Sequence, residues 1–503
     1  MTTVDPDLGR LTDQQLVAAA TSLKHVFIEA SPGSGKTTVA AQRFGAQRYG
    51  PSLSVGASAD DRSVTAVSFT RSATRELLRR VRQTWGPAAL RWPHRIVTLD
   101  TLVYDLLIHL LAVRRLRWPG GHVQLDVHDS WRILAEQSWM RTEVSLQLRG
   151  ADVAVVRRTA RRGAVRVSPR DFETAVAAGK CTHEEVRQVL TQALGRQGVI
   201  DTIVERLAAT TRALIVDEVF DANDLDIAVV ELAARAGVVL TVIGDPWQAL
   251  YGFRGANPDA VPGLVKRTGS TRLPLTQSFR WRSGEQALLA DTLRAGSGAT
   301  LPSISHGGCD EVDVVLACWW KHLWEVGPHV LPMAYQSARG NPPEAAATLL
   351  LNHLTRSVFG EDATYLTDAL STLRITDQDA PRQLEGALQA VLDTLAVPGK
   401  PALNTAYTAL VAAVQTVSPR SFPAARGNYT GRLDMLRSRL AYTRRLIPGM
   451  TVHQAKGREW ERVGARLTDA ERRHLLGGLS HDNEVHRQLY VACTRARLRT
   501  VSV

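Results

Sequence analysis

HVFIEASPGSGKTT, residues 25–38 of a 503-residue chain, passes from an apolar run through a glycine-serine turn into a lysine and two threonines. Val26-Phe27-Ile28 has the length and composition of a buried strand. Ser31-Pro32-Gly33-Ser34-Gly35 forms the turn, and Lys36 opens a helix predicted to run to Tyr49. The pattern Ala30-x-x-x-x-Gly35-Lys36-Thr37 is a phosphate-binding loop, with Ala30 where the common pattern has its first glycine. Gly33 and Gly35 let backbone N–H groups close on a phosphate with no Cβ in the way. The helix start at Lys36-Thr37-Thr38 adds unpaired donors and partial positive charge. Lys36 reaches the β and γ phosphates, and the Thr37 hydroxyl ligates Mg²⁺. An ordinary turn ahead of a helix is the plainer reading, but it does not require strand, loop and helix in this order. The loop implies a bound nucleoside triphosphate. What its hydrolysis drives must be read elsewhere.

The length is more than one compact core usually takes, so several domains are expected. With 44% hydrophobic and 22% charged residues the composition is that of a globular chain. The formal charge of +12 argues for a polyanionic partner. Cys181, Cys309, Cys318 and Cys493 are scattered without C-x-x-C spacing, which points to a reducing compartment and no zinc site. The polar N-terminus lacks an apolar signal core, and no run of eighteen apolar residues occurs. A cytoplasmic protein with no membrane partner is expected.

Strands are predicted at Val64–Phe69 and Ile96–Leu99, each followed by a helix (Arg71–Thr84, Thr101–Val113), with a connection at Gly50–Arg62. Thr12 is a plausible N-cap for a short helix ending near Leu23. From Arg114 to about Ala209 strand signals fade. Helical segments, the first at Asp129–Met140, follow one another, and Arg157, Arg158, Arg161, Arg162 and Arg166 cluster between two of them. Strands return at Ala213–Val216 and Val238–Ile243, and again at Val312–Cys318 and His329–Ala334. Asn341 to about Ile447 reads as helical, with looser stretches at Gln378–Pro381, Pro398–Pro401 and Ser418–Tyr429. Arg499–Val503 closes the chain as a strand.

Asp217-Glu218 ends an apolar strand, where a parallel sheet presents acids to its ligand. Asp217 can hold Mg²⁺ through its water shell, and Glu218 can position and deprotonate an attacking water. In Gly244-Asp245-Pro246-Trp247-Gln248-Ala249-Leu250-Tyr251-Gly252-Phe253-Arg254, Gln248 is placed to orient the γ-phosphate. Tyr251 and Phe253 beside Arg254 suit base stacking, with core packing the plainer reading for one of the two rings.

GDPWQALYGFRGA resembles the third helicase motif of the UvrD/PcrA/Rep branch of superfamily 1, and the rest of that motif set follows in order. LTDQQ is similar to the adenine-reading Q motif, which implies Gln15 as reader. ASPGSGKTT is similar to the Walker A loop. VSFTRSATRELLRRV resembles TFTNKAAREM, which implies that Thr70 and Arg71 contact single-stranded DNA. TLDTL resembles TFHS, placing Thr98 on the DNA side. LIVDEVFDAN is similar to LVDEFQDTN. PLTQSFRWRS resembles LEQNYRS and makes Arg280 an arginine finger; QLYVACTRAR resembles LLYVAITRAK and makes Arg495 the second. TVHQAKGREW resembles TIHSAKGLEF, which implies His453 on DNA and Gly457 and Glu459 near the nucleotide. Tyr490, a turn before Arg495, is either core or part of this apparatus.

The resemblance implies an α/β fold of two RecA-like P-loop NTPase domains with parallel sheets, each carrying a helical insertion. The first domain would comprise 1–113 and 210–272 with insertion 114–209. The second would comprise 273–340 and 448–503 with insertion 341–447. ATP and Mg²⁺ would sit in the cleft, with Arg280 and Arg495 as cations from the second domain. The implied activity is ATP-dependent 3′ to 5′ translocation on single-stranded DNA and unwinding at single/double-strand junctions, with a protein partner such as a nuclease.

Five departures stand out. Phe220 occupies the usual glutamine position, so a polar coupling group is missing. Asp100 replaces a usual histidine and would weaken contact with a phosphate backbone. LPMAYQS (Leu331–Ser337) lacks the usual arginine. The second insertion is short, and the chain stops soon after YVACTRARLRT, which implies no partner-binding tail or fused nuclease. These features keep open an ATP-gated DNA-binding regulatory subunit, for example of a Gabija-type phage-defence system. An ATPase acting on RNA or protein is the remaining alternative.

Overall fold

The computed structural model describes residues 11–50, 60–135, 137–304, 311–336, 341–377, 379–424 and 427–503. Cys309, Ser337, the N-terminal stretch before Leu11, and parts of the Gly50–Arg62, Gln378–Pro381 and Ser418–Tyr429 connections lie outside the described residues. Strands occur, in chain order, at β1 (His25–Ala30), β2 (Ser63–Ser68), β3 (Arg95–Thr98), β4 (Asp126–His128), β5 (Gln137–Arg149), β6 (Asp152–Val167), β7 (Lys180–Thr182), β8 (Thr211–Val216), β9 (Val239–Gly244), β10 (Thr271–Leu275), β11 (Val314–Ala317), β12 (Val330–Pro332), β13 (Ile447–Thr451), β14 (Trp460–Ala465) and β15 (Ala496–Ser502). Two compact units divide the chain. The first takes residues up to 127, 144–157 and 173–281; the second takes 128–143, 158–172 and 282–503.

The first unit holds a parallel sheet in the order β10-β1-β9-β8-β2-β3. β2 and β8 are buried at every position, as interior parallel strands with both faces covered must be. Helices α1 (Asp13–Ala20), α2 (Lys36–Tyr49), α3 (Arg71–Trp85) and α4 (Leu99–Ala112) cover it. Val39, Phe44, Leu77 and Val81 pack against Val26, Ile28, Val64 and Ile215 to make the core on one side.

Two polar groups in this core carry stability. The Arg43 guanidinium on α2 is fully buried, with no carboxylate partner among the described residues. It donates to Thr241 Oγ1 at 2.9 Å, Thr21 O at 2.6 Å, and Ala19 O and Leu23 O at 3.4 Å. Burial lowers its pKa to about 10. Arg43 thereby fastens the end of α1 and the approach to β1 onto the helix of the phosphate loop. Arg43→Met strands those acceptors, and the expected loss is roughly 2–4 kcal/mol in urea unfolding. Arg43→Lys recovers only part of it, because an ammonium cannot span the same fork.

His94 is buried beside β2, and its Nδ1 accepts the Val64 N–H at 3.0 Å. Burial, then the charges of Arg48 and Arg212, lowers its pKa from 6.5 to about 4. The folded state therefore holds a neutral ring that the unfolded chain protonates below 6.5, so stability is lost as pH falls from about 6.5 towards about 4. His94→Asn keeps an acceptor for Val64 and removes the titration. Urea midpoints at pH 7 and pH 5 should differ less in that variant than in the parent.

Three features differ from the sequence reading. Asp129–Met140 is not a helix: Trp131–Leu134 makes one turn, and β5 begins at Gln137. β5 and β6 form a two-stranded sheet joined at Gly150-Ala151, and a two-residue link permits only an antiparallel pair. The five arginines placed between helices sit on β6. Secondly, the boundary expected at 272/273 falls inside β10, which pairs in parallel with β1 from Val26↔Thr271 to Ala30↔Leu275. Pro274 lacks a ladder donor, which an edge strand tolerates and which hid this strand in the sequence. Thirdly, Arg280 consequently belongs to the first unit and is not a cation from a second domain.

The second unit has a parallel sheet in the order β12-β13-β11-β14-β15. Helices between Pro342 and Leu440 form a separate apolar core that includes Leu350, Leu388, Leu395, Tyr407, Leu410 and Leu433. Cys181, Cys318 and Cys493 are buried free thiols, and burial pushes the Cys181 thiol up to about 12. Among the described residues no helix is long and apolar enough to cross a membrane.

Candidate nucleotide and nucleic-acid site

In the first sheet β9 lies between β1 and β8, so the ends of three adjacent strands deliver the phosphate loop, Asp245 and Asp217 to one edge. Ala30 ends β1, and the Ser31 N–H donates to Leu275 O at 3.0 Å. Gly33 and Gly35 have φ of +72° and +83°, where L side chains are strained. A Cβ on Gly33 would lie 2.5 Å from Arg280 Cβ, and one on Gly35 would lie 2.6 Å from Gln15 Nε2. Ser34 Oγ is buried with no hydrogen-bond partner among the described residues. A backbone cradle and an unspent buried hydroxyl fit a phosphate, and Thr37 and Asp217 carry side-chain oxygens of the kind Mg²⁺ takes.

Lys36 Nζ lies 3.7 Å from Glu218 Oε1. Glu218 follows β8 in the left-handed region at φ +61°, a conformation that costs a non-glycine residue about 1–2 kcal/mol. Its N–H donates to Asp217 Oδ1 at 3.0 Å, and Asp217 is nearly fully buried. Gln248 is buried, with Nε2 donating to Asp245 Oδ2 at 2.8 Å. Asp245, the acid that follows β9, also accepts the Trp247 N–H at 3.2 Å and so caps the turn that carries Gln248.

Arg280 arrives on a segment clipped to the loop. Ser278 Oγ donates to Pro32 O at 2.8 Å and accepts the Arg280 N–H at 3.3 Å, and the Phe279 N–H donates to Gly33 O at 3.0 Å. Gln15 closes the other side. Its Oε1 accepts the Thr12 N–H at 3.0 Å and its Nε2 donates to Ser34 O at 2.9 Å. One hydrogen and one lone pair of the amide have no partner among the described residues. Thr38 Oγ1 takes a 2.6 Å bond from Arg80 Nη1 on α3, a contact no local pattern announces.

The residues of the first unit expected to face DNA all end or follow strands of this same sheet. Thr70 caps α3 by accepting from Ala73 N at 3.1 Å, and Thr98 caps α4 by accepting from Thr101 N at 3.3 Å. They follow the neighbouring strands β2 and β3, with Arg71 exposed beside Thr70. Phe253 is 66% exposed and Tyr251 half-buried, with ring centroids 5.9 Å apart. The Arg254 guanidinium lies 5.3 Å and 5.6 Å from the two rings.

In the second unit His453 lies in a short helix, Val452–Ala455, after the carboxyl end of β13. Gly457 has φ +84°. Glu459 accepts from Arg497 Nε at 3.3 Å, and Trp460 N donates to Arg495 O at 3.2 Å. Arg495 is fully buried, its Nε 3.3 Å from Val491 O. Tyr490 is core, with its hydroxyl 3.4 Å from Arg294 Nη1.

The sequence matches the UvrD/REP helicase N-terminal domain over residues 11–193 and 182–266, together just over half the chain. The chain belongs to the UvrD/REP helicase family. ATP-dependent DNA helicase UvrD2 of Mycobacterium tuberculosis is 24% identical over 98% of this chain and 78% of its own length. DNA helicase II of Escherichia coli is 22% identical over 63% of this chain and 45% of its own. ATP-dependent DNA helicase PcrA of Leuconostoc citreum is 28% identical over 51% and 35%.

Two departures from the helicase pattern have physical accounts. Asp100 is not a bare acid: Arg187 donates to it from Nη1 at 2.5 Å and from Nη2 to Asp226, the capping-box acid of the helix Asp224–Arg235. The two carboxylates outweigh the cost of burial and raise the Arg187 pKa. Phe220 is buried edge-on to Phe27, centroids 6.2 Å apart, and a Cβ on Gly244 would lie 2.7 Å from its Cδ2. It packs on Phe27 of β1 and beside Gly244 at the end of β9.

Proposed function

We propose that this chain is an ATP-dependent translocase that moves 3′ to 5′ along single-stranded DNA and unwinds at single/double-strand junctions, acting in the cytoplasm. The convergence of Lys36, Asp217-Glu218, Gln248 and Arg280 at adjacent strand ends carries the reading. It is an arrangement for phosphoryl transfer to water, in a member of a helicase family. Lys36 and the loop amides hold the β and γ phosphates. Glu218 takes the proton of the attacking water. Arg280, with Arg495 as a second cation, balances charge that develops on the γ-phosphoryl oxygens. Mg²⁺ on Thr37 and Asp217 neutralises phosphate charge when bound. Gln15 reads the adenine edge with its remaining donor and acceptor. Thr70, Arg71, Thr98, Tyr251, Phe253, Arg254 and His453 grip the strand. Gly457 and Glu459 respond to the nucleotide.

The test is steady-state ATP hydrolysis with and without single-stranded DNA, with Lys36→Ala as control. Strong stimulation that disappears in the variant supports a DNA-driven motor. Hydrolysis indifferent to DNA removes the reading.

A further inference from the structure

The β5–β6 hairpin carries seven arginines against two acids in residues 137–167, a net excess of five in a chain whose total is +12. Arg141, Arg158, Arg161 and Arg162 are exposed, and among the described residues no carboxylate pairs with them. Arg157, by contrast, is neutralised by Glu173 at 2.7 Å.

Trp139 gives the charge a direction. It is 73% exposed, an unusual cost for the largest apolar side chain. Its indole nevertheless lies against the opposite strand. A Cβ on Gly163 would come within 2.5 Å of Trp139 Nε1 and 2.8 Å of Cε2. Gly163 is not among the glycines with positive φ, so its backbone does not demand glycine. What it provides is room: without a side chain there, the indole lies across the ribbon with one face covered and the other open. Strand periodicity puts Arg141 on the side of Trp139, and Arg161 on the side of Gly163. The product is a flat aromatic face flanked by two arginines without carboxylate partners, all of it within the second unit.

We infer that this face of the hairpin binds DNA at a single-strand/duplex junction, Arg141 and Arg161 on phosphates and Trp139 stacked on the base exposed where pairing ends. The inference rests on DNA as the partner. A duplex interior offers no free base face, whereas a junction offers a base face and closely spaced phosphates together.

Fluorescence anisotropy of the full chain on a tailed duplex and on a plain single strand, without nucleotide, tests it. Trp139→Ala should weaken junction binding about 5- to 150-fold, the range of one lost stacking contact, and leave plain single-strand binding within about twofold. Arg141→Ala with Arg161→Ala should flatten the junction salt dependence by about two units of slope. Gly163→Val, which displaces the indole and leaves Trp139 in place, should mimic Trp139→Ala. Arg158→Ala with Arg162→Ala, on the other face, should leave the junction preference in place. An unchanged ratio of junction to single-strand affinity in Trp139→Ala and in the Arg141/Arg161 variant overturns the inference. DNA-stimulated hydrolysis measured on the same proteins separates the cases: stimulation retained with the ratio unchanged removes the hairpin site and keeps the motor.

Discussion

Arg280→Ala should bind ATP with near-parental affinity and lose about three orders of magnitude in turnover, the scale at which arginine fingers act. The geometry makes the substitution clean. Arg280 Cβ is the atom that approaches Gly33, and alanine keeps it. The clips that seat the segment, Ser278 to Pro32 and Phe279 to Gly33, use a serine hydroxyl and backbone groups only. What disappears is the side chain beyond Cβ, and with it the cation. A fluorescent ATP analogue measures binding, and steady-state release of phosphate measures turnover. Equal turnover would take Arg280 out of the role. Loss of binding and turnover together would make it a structural brace of the loop.

Glu218→Gln should lower turnover by about 10²–10⁴-fold, the usual contribution of a positioned base. Its effect on binding should run the other way from a damaged site. Lys36 stands 3.7 Å from the Glu218 carboxylate, and a neutral amide no longer competes with phosphate for that ammonium. ATP affinity should therefore stay the same or rise. The left-handed backbone at Glu218 is retained by glutamine without new strain, so unfolding midpoints should hardly move. A single-turnover assay separates the two effects. Parental hydrolysis in Glu218→Gln would leave the attacking water without its assigned base.

The nucleotide edge of the first unit was legible because each strand there is a short apolar run that ends in punctuation: Ser31-Pro32-Gly33, Asp217-Glu218, Gly244-Asp245-Pro246. Parallel strands with both faces covered cannot hide in composition. The hairpin could. Open to solvent on both sides, DVAVVRRTARRGAVRV puts arginine at neighbouring positions and destroys the period-two contrast that marks a half-buried strand. β10 escaped for another reason, a proline in a strand that has only one neighbour. The pairings of Arg187 with Asp100 and Asp226, and of Arg80 with Thr38, join residues 87, 39 and 42 positions apart. No spacing rule reaches that far. Gln15 was visible as a polar reader, but its grip on Ser34 O was not, because that bond depends on how α1 is laid against the loop.

Phe220 constrains what its neighbours can become. A glutamine at 220 would place its amide against Phe27 and the Gly244 backbone, where burying an unpartnered polar group costs about 1–3 kcal/mol. Phe220→Gln alone is therefore expected to lower stability, and the same change made together with a polar residue at 27 to lower it less, so that positions 27, 220 and 244 act as one linked unit rather than as three independent ones.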